Sequence, residues 1–315
     1  MKFMLAVDAN LEKVRFPCLV QPKLDGVRFG HLIGYPTGRS LKQHKNYYVN
    51  NFFGDMLFDG FDGEMIIGSD PTIEDLCRLT SSAIGSYEGS HHFTWNIFDF
   101  VTKDSIKLPY RERLNIASSK IGQIIAQYPI LAKHIKLIQF FNCVSMNDLL
   151  SYEEDFLDLG YEGLIIRDPN GLYKEGRSTV REGGLLRIKR FIEEEAIVVG
   201  VTEGQHNGNE ALINELGLTY RTSHQANKIG NGMVATMQAE LVKDVYDSLS
   251  KKLLFNKGQV INITAGSLTH DERKFYYENQ NKIIGRISKF KFFSRGIKDK
   301  PRFPNHVSFK NLEDL

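Results

Sequence analysis

The pattern of hydrophobic and polar residues in the N-terminal part of the chain predicts short strands separated by turns. Four segments combine aromatic or β-branched residues with flanking Gly, Pro or Asn, which is typical of partly buried strands. These segments are residues 17–24, 27–34, 60–67 and 94–101. The sequence YPTGRS at 35–40 predicts a hairpin turn between two of the strands.

Helical patterns are fewer. The longest has apolar residues three and four positions apart and is closed by Pro129, and another begins with a capping serine and stops at a glycine. The four predicted helices span residues 72–84, 110–128, 145–160 and 271–281.

The pattern changes near residue 190. The acidic run Glu193–Glu195 leads into a strand at 196–201, and strands then alternate with Gly- and Asn-rich loops. We expect the acidic run at a hinge between two domains or in a solvated loop. The sequence therefore predicts an α+β domain over 1–190 and a β-rich domain over 191–315.

The composition is that of an ordinary globular protein, with 42% hydrophobic and 25% charged residues in a chain of 315. No apolar run approaches the length of a membrane span, and charges come too early for a secretory signal, so we expect a cytoplasmic protein. The cysteines have no paired spacing and predict ordinary thiols, not a zinc site or disulfides. They are Cys18, Cys77 and Cys143.

The net charge of +2 excludes nothing, but its distribution is uneven. Residues 281–310 hold nine basic residues and one acid, with phenylalanines interleaved. A surface that binds a polyanion has this pattern, because Lys and Arg displace counterions from phosphates. A hairpin with a charged outer face is the alternative.

The sequence QPKLDGVR at 21–28 contains more than a turn needs. An Asp-Gly turn requires neither Lys23 nor Arg28. A lysine is a nucleophile only when neutral, and nearby cations such as Arg28 favour the neutral form. In isolation, however, the motif more often marks a surface turn.

Two carboxylates are placed at the starts of predicted strands, Glu64 in FDGEMI and Glu162 in GYEGLIIRD. Mg²⁺ bound to a nucleotide phosphate uses few protein carboxylates and many waters, so this pair suits that ion. Both glutamates are also compatible with simple turn acids.

Cations and an aromatic residue complete the set of candidates. In GLLRIKRF at 184–191, Arg187 and Lys189 would lie on one face of a strand and could reach one anion. Phe98 in IFDF could stack on a base. The alternatives are a solvated strand face and an ordinary core phenylalanine.

In this order, the motifs KLDGVR, FDGE, IFDF, EGLII and RIK resemble those of the covalent nucleotidyltransferases. KPRFP at 300–304 is similar to the last motif of DNA ligases, and the whole chain resembles the short ATP-dependent DNA ligases of phages and large DNA viruses. The resemblance implies an α+β nucleotidyltransferase domain over 1–190, an ATP-grasp-like core of antiparallel sheets and helices. An OB-fold β-barrel is implied over 191–315. With 22 residues before Lys23, we expect no additional N-terminal DNA-binding domain.

The resemblance also implies residue roles. Lys23 would attack the α-phosphate of ATP and carry AMP, while Glu64 and Glu162 would bind Mg²⁺, Glu64 beside the nucleotide. The implied nucleotide contacts are Gln21 at the adenine edge, Arg28 at the ribose or phosphate, Arg39 at the nucleotide or nick phosphate, Phe98 on the base, Arg187 and Lys189 on the phosphate, and Arg302 at the leaving pyrophosphate. Arg187 stands where relatives usually have Lys, and Lys310 where they often have a second Arg.

The implied function is ATP-dependent sealing of 5′-phosphate/3′-hydroxyl nicks in duplex DNA, in replication, repair or recombination. We expect a monomer in the cytoplasm, that of the host if the source is viral. The alternatives are an RNA ligase, a guanylyltransferase of the mRNA-capping type, and a non-catalytic OB-fold protein that binds nucleic acid.

Overall fold

The computed structural model describes residues 1–73, 75–247, 251–293 and 299–310. The chain divides into two compact units, Met1–Lys189 and Arg190–Leu315. The first unit mixes helices and strands, whereas the second consists mainly of strands. Within the described residues, no helix has the length and apolar character needed to cross a membrane.

The elements of the first unit follow one another as short strands and four α-helices within its described residues. The strands are β1 (Met4–Leu5), β2 (Val7–Asp8), β3 (Cys18–Lys23), β4 (Val27–Gly30), β5 (Phe61–Ile67), β6 (Phe93–Phe100), β7 (Ile135–Leu137), β8 (Phe141–Cys143), β9 (Gly163–Arg167), β10 (Gly176–Arg177) and β11 (Leu185–Lys189). The helices are α1 (Tyr47–Phe52), α2 (Leu76–Gly85), α3 (Tyr110–Gln127) and α4 (Met146–Asp158).

These strands form two main sheets. One has the order β2-β11-β9-β3-β8 and the other β4-β5-β6-β7, while β1 pairs with β10. The expected antiparallel sheets are mixed instead, because β2 runs parallel to β11 and β7 runs parallel to β6. The core of the four-stranded sheet surrounds Trp95, and the core of the five-stranded sheet contains Val20, Leu164 and Phe156 of α4.

The four predicted N-terminal strands are confirmed as β3, β4, β5 and β6, although β4 covers only the first half of the predicted 27–34. Three of the predicted helices are confirmed as α3, α4 and a helix of the second unit. In α4 the Ser145 hydroxyl accepts the Asp148 N–H at 3.1 Å, as an N-cap does. The predicted start of α2 at Thr72 is wrong. Thr72 instead donates its N–H to Asp70 at 2.9 Å, which stabilises a local turn before the helix.

The predicted hairpin at 35–40 does not connect two of the predicted strands. β4 ends at Gly30, and the following segment folds back through bridges that join Thr37 to Gly30 and to Gln43. The short helix α1 then precedes β5, and the Asn46 side chain caps it by accepting the Val49 N–H at 2.9 Å. The sequence analysis did not predict α1, because its six residues have no strong apolar stripe.

Two of the cysteines are neighbours in space despite their separation in sequence. Cys18 on β3 lies opposite Cys143 on β8, and both are buried. They are free thiols, as is Cys77.

The second unit is built around a closed barrel with the order β12-β15-β18-β20-β19. Its elements are β12 (Phe191–Asn207), β13 (Ala211–Ile213), β14 (Thr219–Arg221), β15 (Lys228–Leu241), β16 (Val245–Tyr246), β17 (Leu253–Phe255), β18 (Val260–Thr264), α5 (His270–Glu278), β19 (Ile287–Phe293) and β20 (Arg302–Phe309).

The basic C-terminal stretch alternates along β19. Phe290 and Phe292 are fully buried in the barrel core, whereas Lys289 is exposed and Lys291 half-buried. Period-two alternation thus places the lysines of β19 on the outer side of the barrel, opposite Glu195 and Glu193 of β12. Arg295 and Lys298 lie outside the described residues.

The acidic run Glu193–Glu195 does not form a solvated loop, since it lies inside β12, close to the boundary between the two units. Glu194 forms an ion pair with Lys243 at 3.1 Å, and Glu195 with Lys310 at 3.4 Å. These carboxylates therefore pair with cations of the second unit.

A buried charge network joins the two sheets of the first unit. Asp99 on β6 accepts two hydrogen bonds from Arg113 of α3, at 2.7 and 3.1 Å, and one from Arg167 of β9 at 2.5 Å. All three side chains are nearly inaccessible to solvent. One carboxylate thus compensates two buried guanidinium groups.

We expect Asp99→Asn to lower the free energy of unfolding of the first unit by about 3 kcal/mol, because two buried cations lose their counter-charge. The chain has one tryptophan, Trp95, which is buried in this unit, so its fluorescence during urea unfolding reports on this unit. Asp104→Asn, at an exposed position, is the matched control and should change stability by less than about 0.5 kcal/mol. Equal losses in the two variants would contradict the role assigned to the network.

Candidate active site

A cavity of about 300 Å³ opens in the first unit, between its two main sheets. Apolar side chains such as Ile138 and Ile165 form part of its wall, and cations form much of the rest. Seven of the ten predicted site residues line it, namely Gln21, Lys23, Arg28, Arg39, Glu64, Phe98 and Arg187. Its volume lies at the lower end of the range for small-molecule sites.

The other predicted residues lie elsewhere. Glu162 contacts Lys23 directly and Lys189 contacts Glu162, so both belong to the same cluster. Arg302 is the first residue of β20 in the second unit, with its guanidinium 5.6 Å from the ring centre of Phe303.

Gly163 allows the three central strands to meet. It pairs with Lys23 of β3 on one side and with Lys189 of β11 on the other. Its φ is +149°, and a Cβ atom there would lie 2.2 Å from the carbonyl oxygen of Ile188. Only glycine fits this position, and the fit brings both lysines to the residue that precedes it, Glu162.

Glu162 bridges the two lysines. One carboxylate oxygen lies 2.6 Å from Lys23 Nζ, and the other accepts a hydrogen bond from Lys189 Nζ. Burial acts to raise the pKa of the Glu162 carboxyl, but the charges of Lys23 and Lys189 hold that pKa below its ordinary value. Burial and the charge of Lys23 lower the pKa of Lys189, although Glu162 opposes them.

Glu64 is the second carboxylate of the site. It lies on β5 opposite Arg28 of β4. Burial raises its pKa to about 7, although Lys23 and Arg28 act in the opposite direction, and Glu162 adds to the rise. Two carboxylates that disfavour each other's charge are a suitable location for a divalent cation. No cluster of three or more possible metal ligands occurs among the described residues, so such an ion would need ligands from a nucleotide and water.

Arg28 is held rigidly by partners of which the sequence analysis had singled out only Phe98. Asp62 accepts two hydrogen bonds from it, at 2.6 and 2.7 Å, and the guanidinium lies 4.9 Å from the ring centre of Phe3 and 4.8 Å from that of Phe98. Asp62 belongs to the same FDGE motif as Glu64, but no pattern in the sequence indicated that it pairs with Arg28. It lies within β5 and is fully buried.

The guanidinium groups of Arg39, Arg177 and Arg187 form a cationic part of the cavity wall. Burial lowers the pKa of Arg39, and the positive charges of Arg177, Arg187 and Arg28 lower it further. Arg187 donates through Nε to Asp8 at 2.6 Å, and Arg177 donates to the carbonyl of Ala6 at 2.6 Å. Mutual repulsion of this kind is relieved when an anion such as phosphate binds.

Neither Arg177 nor Asp8 was identified from the sequence. Asp8 is 179 residues from its partner, and the pair forms only because β2 lies beside β11. Arg177 occurs in a Gly- and Ser-rich segment without a strand-like pattern. Pairing across this distance leaves no local signal.

Known proteins resemble the chain over different lengths. The DNA ligase of African swine fever virus (strain Badajoz 1971 Vero-adapted) is 27% identical over 145 residues, which cover 46% of this chain and 32% of that ligase. The match therefore spans about a third of the length of these curated relatives. No protein-family model matches the chain.

Solved structures cover nearly the whole chain. A crystal structure of Chlorella virus DNA ligase-adenylate is 30% identical, with a TM-score of 0.52, over 99% of this chain and 98% of that one. A Lig E DNA ligase is 18% identical with a TM-score of 0.68, over 98% and 99% of the two chains, which supports the fold alone.

We expect Gly163→Ala to lower the free energy of unfolding by more than about 2 kcal/mol, because neither the backbone of β11 nor the φ of residue 163 accommodates a Cβ atom. Trp95 fluorescence in urea is the measurement. Gly122→Ala in α3, where a Cβ atom meets open space, is the control and should be neutral or stabilising by up to about 1 kcal/mol. A Gly163→Ala protein as stable as the control would exclude the steric constraint.

Proposed function

The chain belongs to the DNA ligase family, and we propose that it uses ATP to seal nicks in duplex DNA through an AMP adduct on Lys23. The observation that carries this proposal is the position of the Lys23 amine. It lies in the wall of a cavity lined with cations, within hydrogen-bond distance of the Glu162 carboxylate. The 30% identity to a ligase-adenylate over nearly its full length supports the same function.

The first proposed step is an in-line displacement at phosphorus. The Lys23 ammonium gives one proton to solvent, Nζ then attacks the α-phosphorus of ATP, and the nitrogen releases a second proton to solvent as the phosphoramidate forms. The N–P bond forms, the bond from the α-phosphorus to the bridging oxygen breaks, and pyrophosphate leaves. Positioning and charge neutralisation provide most of the catalysis in such transfers. Glu162 supports the positioning, because its carboxylate holds Lys23 on one side and Lys189 on the other.

The next steps would transfer AMP to the 5′-phosphate of the nick and then join the 3′-hydroxyl with release of AMP. We propose that Arg39, Arg187 and Lys189 neutralise the phosphates, because a cationic wall lowers the energy of the charge that develops on phosphate oxygens. Arg28 would contact the ribose or phosphate. Phe98 would stack on the adenine, since its half-buried ring lines the cavity.

Mg²⁺ fits the pair Glu64 and Glu162 together with the phosphates of ATP, and it would neutralise charge on the reacting phosphate and the pyrophosphate. The raised pKa of the Glu64 carboxyl supports this assignment, because a bound cation would stabilise its ionised form.

We propose that the barrel of the second unit is an OB fold that binds the DNA backbone. Its five strands close in the order β12-β15-β18-β20-β19, which agrees with a five-stranded Greek-key barrel. Lys289 and Lys291 on its outer side would contact phosphates. Arg302 on β20 would orient the pyrophosphate during the first step.

We expect the wild-type protein, incubated with ATP and Mg²⁺, to gain the mass of one AMP, and Lys23→Ala to gain none. Intact-protein mass spectrometry measures this directly. Lys103→Ala, at an exposed lysine, is the control and should be labelled like the wild type. An adduct on Lys23→Ala would place the nucleophile elsewhere.

Sealing requires a second measurement, on a nicked duplex with a labelled 5′-phosphate. We expect wild-type protein to join the DNA nick and to act poorly on the same nick flanked by RNA. Preference for the RNA substrate would instead support an RNA ligase. A GMP adduct without sealing would support a capping-type enzyme, and binding without any adduct a non-catalytic protein.

A further inference from the structure

A short hydrogen-bond relay connects one wall of the cavity to the interior of the first unit. Gln21 on β3 donates through Nε2 to the hydroxyl of Tyr110, at 2.9 Å. That hydroxyl donates to the carbonyl oxygen of Phe98 on β6, also at 2.9 Å. Both Gln21 and Phe98 line the cavity, whereas Tyr110 begins α3 behind them.

The proton count of the relay fixes the orientation of the Gln21 amide. The carbonyl of Phe98 can only accept, so the single hydroxyl proton of Tyr110 is used there. The Tyr110 oxygen must therefore accept from Gln21, and only the amide nitrogen of Gln21 can donate. Burial raises the pKa of Tyr110 to about 12, so the hydroxyl keeps its proton near neutral pH.

This orientation leaves Gln21 Oε1 available to a ligand. Among the described residues, none donates a hydrogen bond to this oxygen. An oxygen without a partner that was also closed off from solvent would be a buried unsatisfied atom, and Gln21 Oε1 is not one of those. Since Gln21 is only 2% exposed and lines the cavity, we infer that Oε1 faces the cavity. The site thus presents a hydrogen-bond acceptor beside Phe98.

Tyr110 cannot easily move away from this arrangement. Its side chain is 1% exposed, and the guanidinium of Arg167 lies over its ring at 3.7 Å from the centre. Arg167 is in turn bound to Asp99, which also binds Arg113. The buried ion network therefore fixes the ring whose hydroxyl orients Gln21.

We propose that Tyr110 is a positioning residue that makes the site select adenine over guanine. The inference rests on the proposed function, because it assumes that the cavity binds the purine of a nucleoside triphosphate. The 6-amino group of adenine is a donor and would bind Oε1, whereas the 6-oxo group of guanine is an acceptor and would be repelled by it. Without the Tyr110 hydroxyl, the amide could rotate and offer Nε2 to guanine.

The test is competition between ATP and GTP for labelling of Lys23, measured by intact-protein mass spectrometry. We expect Tyr110→Phe to lower the ratio of the ATP rate to the GTP rate about tenfold, the effect of one oriented hydrogen bond. Damage to the fold alone would slow both nucleotides and leave the ratio unchanged.

Two further variants separate positioning from general disturbance. Tyr173→Phe removes another buried hydroxyl of the same unit, which accepts from the Met4 N–H and donates to the Lys2 carbonyl, and it should leave the ratio at the wild-type value. Gln21→Glu combined with Tyr110→Phe should restore the preference for ATP, since an ionised carboxylate presents only acceptors.

An unchanged ATP-to-GTP ratio in a Tyr110→Phe protein that still labels Lys23 would overturn the inference while leaving the proposed function intact. No adduct on the wild type with either nucleotide would overturn both. If Tyr110→Phe does not fold, the wild type is tested with inosine triphosphate, which carries a 6-oxo group. Labelling about tenfold slower than with ATP is expected, and equal labelling would overturn the inference.

Discussion

The contact on which the site depends is the Glu162 carboxylate between the ammonium groups of Lys23 and Lys189. A partly buried carboxylate is stable only when its charge is compensated, and each lysine supplies part of that compensation. The arrangement requires β3, β9 and β11 to approach closely at one register position. Gly163 makes this possible, so the chemistry of the site depends on a missing side chain.

The more deeply buried charges of the first unit are likewise compensated by opposite charges. Arg28 is paired with Asp62, and Arg113 and Arg167 share Asp99. In each of these pairs a buried carboxylate holds an arginine in place. Among the residues that line the cavity, the arginines outnumber the acids. Arg39, Arg177 and Arg187 consequently repel one another. The wall is prepared for an anion because its cations are held in place: Arg177 by a backbone carbonyl, Arg187 by the exposed Asp8 and Arg28 by the buried Asp62.

The strands and the longer helices could be predicted from the sequence because their signals are local. Aromatic and β-branched residues between turn residues identified β3 to β6, apolar spacing identified α3, and the capping Ser145 with the closing Gly160 identified α4. The start of α2 was missed because an Asp70 turn competes with the helix, and α1 because it is short. The order of the motifs led to Lys23, Glu64 and Glu162 as candidates, and the structure brings them into one region. Asp8, Asp62 and Tyr110 act through partners brought near only by sheet pairing, which no local pattern encodes.

The geometry of β3 joins recognition to reaction. Gln21 and Lys23 are two residues apart on one strand, so both side chains leave the same face, roughly 7 Å apart along it. In the proposed complex, a base held against Gln21 and Phe98 would therefore determine where the α-phosphate lies relative to Lys23 Nζ. Pro22 between them adds backbone rigidity, since its φ is fixed. A purine that cannot bind Gln21 would then be displaced from the proposed nucleophile as well, so a single strand would couple the choice of nucleotide to the rate of its transfer.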